Sequence, residues 1–195
     1  MSDQISHRPS AIGHQRASIV GLLVALGLTC LTPALSGRGA LLSIPGTLQA
    51  QETGLPVGSK APTSTLVETL DGKPFDLGQY VGTTPVLIQF WATWCPNCKQ
   101  LEPAMEAASK KYAGKIKFVA IAVSVNQSVE RVKLYAAKHG MPGEVYFDRK
   151  GNAADSYDAA ATSYIIVLDK NGSVVYTGLG GTQNVDAAVR KGIGG

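Results

Sequence analysis

Two cysteines three residues apart, Cys95 and Cys98, are the side chains in this sequence best suited to chemistry. They bracket Pro96-Asn97 and follow the segment Phe90-Trp91-Ala92-Thr93-Trp94. If a helix begins here, the spacing sets both sulfurs on one side of its first turn, near enough for a disulfide. Cys95 then lies at the helix N-terminus, where unpaired N–H groups and the positive dipole end favour a thiolate, the attacking species in disulfide exchange. Cys95 is expected to attack, and a more buried Cys98 to resolve the mixed disulfide. Pro96 suits the first helical turn, where a missing N–H costs little. Trp94 either offers a flat apolar rim to a thiol-bearing client or simply packs, whereas Trp91 reads as core.

A CxxC pair can also be half of a zinc site, but tetrahedral zinc needs four ligands. The spare candidates are Cys30, His7 and His14 near the N-terminus and a lone His139. No metal site is expected, and His139 is read as complementing a helix dipole. No cofactor is expected beyond the redox-active Cys95–Cys98 disulfide.

The elements that must position this pair follow from periodicity. Pro85 to Phe90 is a short apolar run, fit for a buried strand. From Cys95 the period becomes helical: Leu101, Met105, Ala108 and Tyr112 make one apolar face, with Pro103 expected to kink the helix. Ile116 to Ser124 reads as a second buried strand. A helix capped by Asn126 or Ser128 follows, with Val129, Val132 and Ala136 inward and Gly140 at its end. Upstream, Leu66–Leu70 and Lys73–Leu77 flank Asp71-Gly72, a two-residue hairpin signal. Downstream, Tyr164–Leu168 and Ser173–Thr177 flank Asp169-Lys170-Asn171-Gly172, and Val185–Lys191 suits a last helix. The order β-β-β-α-β-α-β-β-α predicts an α/β fold with a mixed central sheet, helices on both faces and an added N-terminal β-hairpin.

Residues 1–50 read as a targeting segment. Arg8, His14 and Arg16 precede an apolar stretch from Ile19 to Leu35, which is either a cleaved signal peptide or an uncleaved membrane anchor. Cys30 inside it is read as a small hydrophobe, because Gly27-Leu28-Thr29 does not make a lipid-attachment motif. Residues 51–59 read as a linker and 60–195 as the domain. The net charge of +4 drops by half once Arg8, Arg16, Arg38 and Asp3 are set aside, too small a surplus to imply a nucleic-acid partner.

With these residues in place, the sequence resembles the thioredoxin superfamily, and within it the TlpA/ResA/CcmG-like exported thiol-disulfide oxidoreductases. The likeness rests on Gly58-Ser59-Lys60-Ala61-Pro62, the Leu70–Lys73 turn, the Phe90–Cys98 signature, Pro103, and Leu168–Gly172, and covers roughly residues 56–195. It implies a thioredoxin-like fold and an extracytoplasmic monomer that reduces disulfides of exported proteins, apocytochrome c among them. Electrons would come from a membrane thiol donor, and the protein would touch the membrane through its N-terminal segment if that is retained. A disulfide-donating oxidase and a copper-binding module using the same sulfurs stay open. Three positions depart from the family. The dipeptide is Pro96-Asn97, Gln89 stands where thioredoxins keep a buried acid, and Ser163 stands where a cis-proline is expected. A cis bond without proline costs roughly 2.5–4 kcal/mol, so a trans loop is open to this chain unless packing forces otherwise. The family holds substrate on this loop's backbone. The resemblance therefore carries substrate binding onto Thr162 and Ser163, beside Trp94 and Pro96.

Overall fold

A computed structural model describes residues 54–194. The predicted targeting segment, Cys30 included, lies outside the described residues. A seven-stranded mixed sheet forms the centre, in the order β2-β1-β5-β4-β3-β6-β7. Its strands are β1 (Leu66–Thr69), β2 (Pro74–Asp76), β3 (Val86–Trp91), β4 (Lys117–Val123), β5 (Glu144–Asp148), β6 (Tyr164–Leu168) and β7 (Val174–Leu179). The helices are α1 (Pro96–Lys111), α2 (Val129–His139), α3 (Asn152–Ser156) and α4 (Val185–Ile193). Strands β3, β4 and β5 run parallel, joined by crossovers through α1 and α2, and every other neighbouring pair is antiparallel.

Strand alternation divides the core between two faces. Val86, Ile88 and Phe90 of β3 join Val119 and Ile121 of β4 and Tyr164, Ile166 and Leu168 of β6 beneath α3. Leu87, Phe118, Ile165 and Val167 point the other way, onto Leu101, Met105 and Ala108 of α1 and Val185, Ala188 and Val189 of α4. Farther along that face, Trp91, Ala120, Ala122 and Phe147 gather around both cysteines and Val132 of α2. With β3, β4 and β6 buried on both faces, continuous apolar runs are what the sheet requires.

Several boundaries differ from the sequence reading. The first hairpin turns through three residues, not two. Gly72 N–H donates to Thr69 O at 2.9 Å, Thr69 N–H to Lys73 O at 2.8 Å, and Gly72 holds φ +80°. That is a type I turn closed by a left-handed glycine. Beyond β2 the chain enters a 3₁₀ turn at Leu77–Gln79 instead of extending the strand, because the Asp76 carboxylate accepts the Gly78 amide. Strand β5 and helix α3 were not foreseen. Ser128 supplies the α2 cap, accepting Arg131 N–H, and Gly140 ends that helix at φ 59°. Val132 alone of its predicted inner face is fully buried. Helix α1 runs unbroken from Pro96 to Lys111 across Pro103. Within the predicted linker, Gly58 N–H donates to Val174 O and Ser59 O accepts Val174 N–H, so this stretch lies along β7. No helix among the described residues is long and apolar enough to cross a membrane.

Candidate functional site

The parallel strands β3, β4 and β5 all deliver their chains to the same edge of the sheet, where ligand crevices form in open α/β folds. There β3 leads through Ala92-Thr93-Trp94 to Cys95, the N-cap of α1. Cys95 keeps an extended backbone, φ −79° and ψ 113°, and its Sγ accepts the Cys98 amide at 3.1 Å. The two cysteines are joined as a disulfide with Cα atoms 5.3 Å apart. Pro96 occupies the first helical position, where it gives up only an N–H that the helix leaves unused. The first turn of α1 carries no acidic residue and its last turn carries Lys110 and Lys111. No carboxylate in that turn offsets the positive end of the dipole at Cys95.

Burial does not rank the two sulfurs as expected. Cys95 is 2% and Cys98 3% exposed, so the second cysteine is not the more covered in this oxidised form. What distinguishes them is position, since Cys95 caps the helix and Cys98 lies a residue pair inside it. Trp94 is 40% exposed and its indole N–H donates to Val125 O at 2.8 Å, which holds the ring at the surface beside the disulfide. Trp91 is buried, as read.

Ser163 lies across from the end of β3, its N–H donating to Phe90 O at 2.8 Å. No peptide bond among the described residues is cis, and Ser163 instead takes a left-handed φ of 66°. Its carbonyl accepts from Gly180 N–H at 3.1 Å and Gln183 Nε2 at 2.9 Å, while its buried hydroxyl has no partner. The loop is pinned through its backbone by residues far away in sequence. Thr162, its neighbour, is half-buried on the same edge.

Gln89 is buried between Ala120 and Ile165, its register partners on β4 and β6, and its Oε1 has no hydrogen-bond partner. It stands two residues from both Leu87 and Trp91, which places it with them on the α1 face of the sheet. Four residues beyond Cys98, Glu102 accepts Tyr135 Oη at 2.5 Å and lies 3.4 Å from His139 Nδ1. Burial first, and the hydrogen bond to Glu102 second, push the Tyr135 phenol above its ordinary value. The imidazole of His139 stacks on that phenol, ring centroids 3.9 Å apart, and Tyr135 in turn meets Trp91 at 5.4 Å. His139 therefore ends α2 as predicted, beside a Glu102 carboxylate that the sequence did not suggest.

Other residues that shape the site carry no local signal. Gln127 accepts Thr93 N–H at 2.9 Å through Oε1 and donates from Nε2 to Val123 O, which ties the Cys95 approach to the end of β4. Gly181 packs beneath the CxxC turn so closely that a Cβ would stand 2.9 Å from Asn97 O. Among the described residues no group of three or more His, Cys, Asp or Glu side chains gathers as a metal site. A hollow of about 470 Å³ lies at the opposite ends of β4 and β5, between Lys117, Phe118, Gly143 and Glu144, away from the thiols.

Comparison with known proteins agrees with this geometry. Residues 56–191 match the Redoxin family. The chain is 35% identical over 129 residues to the Thioredoxin-like protein YneN of Bacillus subtilis (strain 168), covering 66% of this chain and 74% of that protein. It is 30% identical over 124 residues to the Thiol-disulfide oxidoreductase ResA of Geobacillus thermodenitrificans (strain NG80-2), covering 64% and 70%. Among solved structures it is similar to a thiol:disulfide interchange protein of the thioredoxin family from Chlorobium tepidum TLS. That pair shares 26% identity at a TM-score of 0.57, over 71% of this chain and 99% of that one.

Proposed function

We propose a dithiol mechanism for this chain, which belongs to the Redoxin family and is a thiol-disulfide oxidoreductase of the TlpA/ResA-like branch of the thioredoxin superfamily. Cys95 is the nucleophile and Cys98 the resolving thiol. In the reduced enzyme the Cys95 thiolate attacks one sulfur of a client disulfide, forming a mixed disulfide and releasing the client's other sulfur as a thiolate. Cys98, deprotonated, then attacks Cys95 Sγ. The client leaves with both its thiols, and the enzyme keeps the Cys95–Cys98 disulfide. Two electrons have passed to the client. The observation that carries this reading is the disulfide at the cap of α1, whose first sulfur already accepts a helix amide. A sulfur so placed is a stabilised leaving group and a stabilised thiolate.

The clients are cysteine-bearing exported proteins, apocytochrome c among them, and a membrane thiol donor returns the enzyme to its dithiol form. The protein works as a monomer outside the cytoplasm, secreted or held to the membrane by its N-terminal segment. The basic-then-apolar pattern of residues 8–35 supports that location. Trp94, Pro96, Thr162 and Ser163 frame the bound client.

Trapping tests the mechanism. Cys98→Ala removes the resolving thiol, so clients should accumulate on Cys95 as mixed disulfides that dithiothreitol releases. A variant that traps no protein thiol would sink the reading. The reduction potential tests direction: a value near the roughly −270 mV of thioredoxin supports a reductase, and one near −120 mV reverses the flow.

A further inference from the structure

A crevice of about 260 Å³ opens one residue from the disulfide, lined by Trp94, Val123, Val125, Ala159, Ala160 and Ala161, and by Ser124, Thr162 and Asp148. Most of these walls are aliphatic or aromatic, and three consecutive alanines leave the space unfilled. Its polar groups are largely committed. The Trp94 indole donates to Val125 O, and the Ser124 hydroxyl donates to Arg149 O at 3.2 Å.

Asp148 is the buried exception. It ends β5 at the edge where β3 delivers Cys95, and it is only 1% exposed. Its Oδ2 accepts Ala154 N–H at 2.9 Å, but its Oδ1 is buried with no hydrogen-bond partner. Nor does Asp148 form an ion pair among the described residues, since the neighbouring Arg149 is turned to Glu68. A buried carboxylate oxygen without a donor is costly, and a cationic donor that enters the crevice recovers that cost.

We infer that this crevice is a side-chain subsite for the client polypeptide and that it takes a lysine within two residues of the reacting cysteine. The aliphatic stem lies along the alanines and Val125, and the ammonium donates to Asp148 Oδ1. Leucine or norleucine would fill the walls and leave the oxygen unpaired, and glutamate would set two carboxylates together. The inference rests on the dithiol reading of Cys95 and Cys98, and it names which disulfide-bearing segments that dithiol prefers.

Exchange kinetics with synthetic peptides test it on the full chain. Each peptide carries one cysteine in a mixed disulfide with a chromophoric thiol, and lysine, norleucine or glutamate is placed in turn at the four flanking positions. At one position lysine should react about tenfold faster than norleucine, the factor that one charge-assisted hydrogen bond supplies. In Asp148→Asn, which keeps an acceptor for Ala154 N–H, that ratio should fall to about two or less. A lysine-to-norleucine ratio near one at all four positions in the parent protein overturns the subsite, whatever the variant does. A ratio that Asp148→Asn leaves intact overturns the role of the carboxylate. Failure of every peptide to exchange overturns the dithiol reading and the subsite with it, an outcome distinct from exchange without preference.

Discussion

Ser163 is the residue where backbone geometry can be put to a direct thermodynamic test. It holds φ 66°, a conformation that costs a residue with a Cβ roughly 1–2 kcal/mol. Its hydroxyl is buried without a partner, which adds about 1 kcal/mol or more. Ser163→Gly removes both penalties and gives back about 0.5–1 kcal/mol through the freer unfolded chain. The net expectation is a gain of about 1–2 kcal/mol. With a urea m-value of about 1.5 kcal/mol/M, that moves the unfolding midpoint up by roughly 1 M. Ser163→Pro should do the reverse. Proline fixes φ near −65°, on the far side of the map from 66°, and removes the N–H that donates to Phe90 O. Leaving that carbonyl unpaired costs about 1–3 kcal/mol, and refitting the loop costs a similar amount. The midpoint should therefore fall by at least about 1 M. The two variants bracket the parent protein, so a global change in folding cannot imitate the result. A proline variant as stable as the parent would refute the reasoning, for it would mean that the loop holds a proline-compatible backbone.

Glu144 and Gln127 give two further outcomes. Glu144 is held at about 2, below its ordinary 4.5, by its hydrogen bond from Lys117 and then by those from the Tyr146 and Tyr80 hydroxyls. Because its folded value is depressed, its contribution is complete above about pH 4.5 and is lost as pH falls towards 2. The urea midpoint should decline over that window and Glu144→Gln should flatten the decline, modestly since both charges reach solvent; an identical slope would count against the assignment. Gln127→Ala strips Thr93 N–H and Val123 O of their partner and should cost about 2 kcal/mol in urea denaturation. It should also slow exchange at Cys95, and an unchanged midpoint would show that neither group depends on the amide.

The chemistry of this protein was legible in its sequence because it is local. Strand Val86–Trp91, the turn, Cys95 at the cap, Pro96 at the first helical position and Cys98 inside it are contiguous, so spacing and helix geometry are enough to place both sulfurs. The same locality makes β6 readable, since five consecutive apolar residues admit little else. Strand β5 escaped because Glu144–Asp148 has polar ends and follows a glycine-rich connection. It becomes a strand only by fitting between β4 and β1, neighbours brought from far along the chain. What the sequence could not decide is how the sulfurs are framed. Gln127, Ser163, Gln183 and Asp148 each act through a partner or a crevice that exists only once the parallel strands end at one edge. A disulfide-forming pair needs three residues of chain, whereas a surface that selects its client needs the whole sheet.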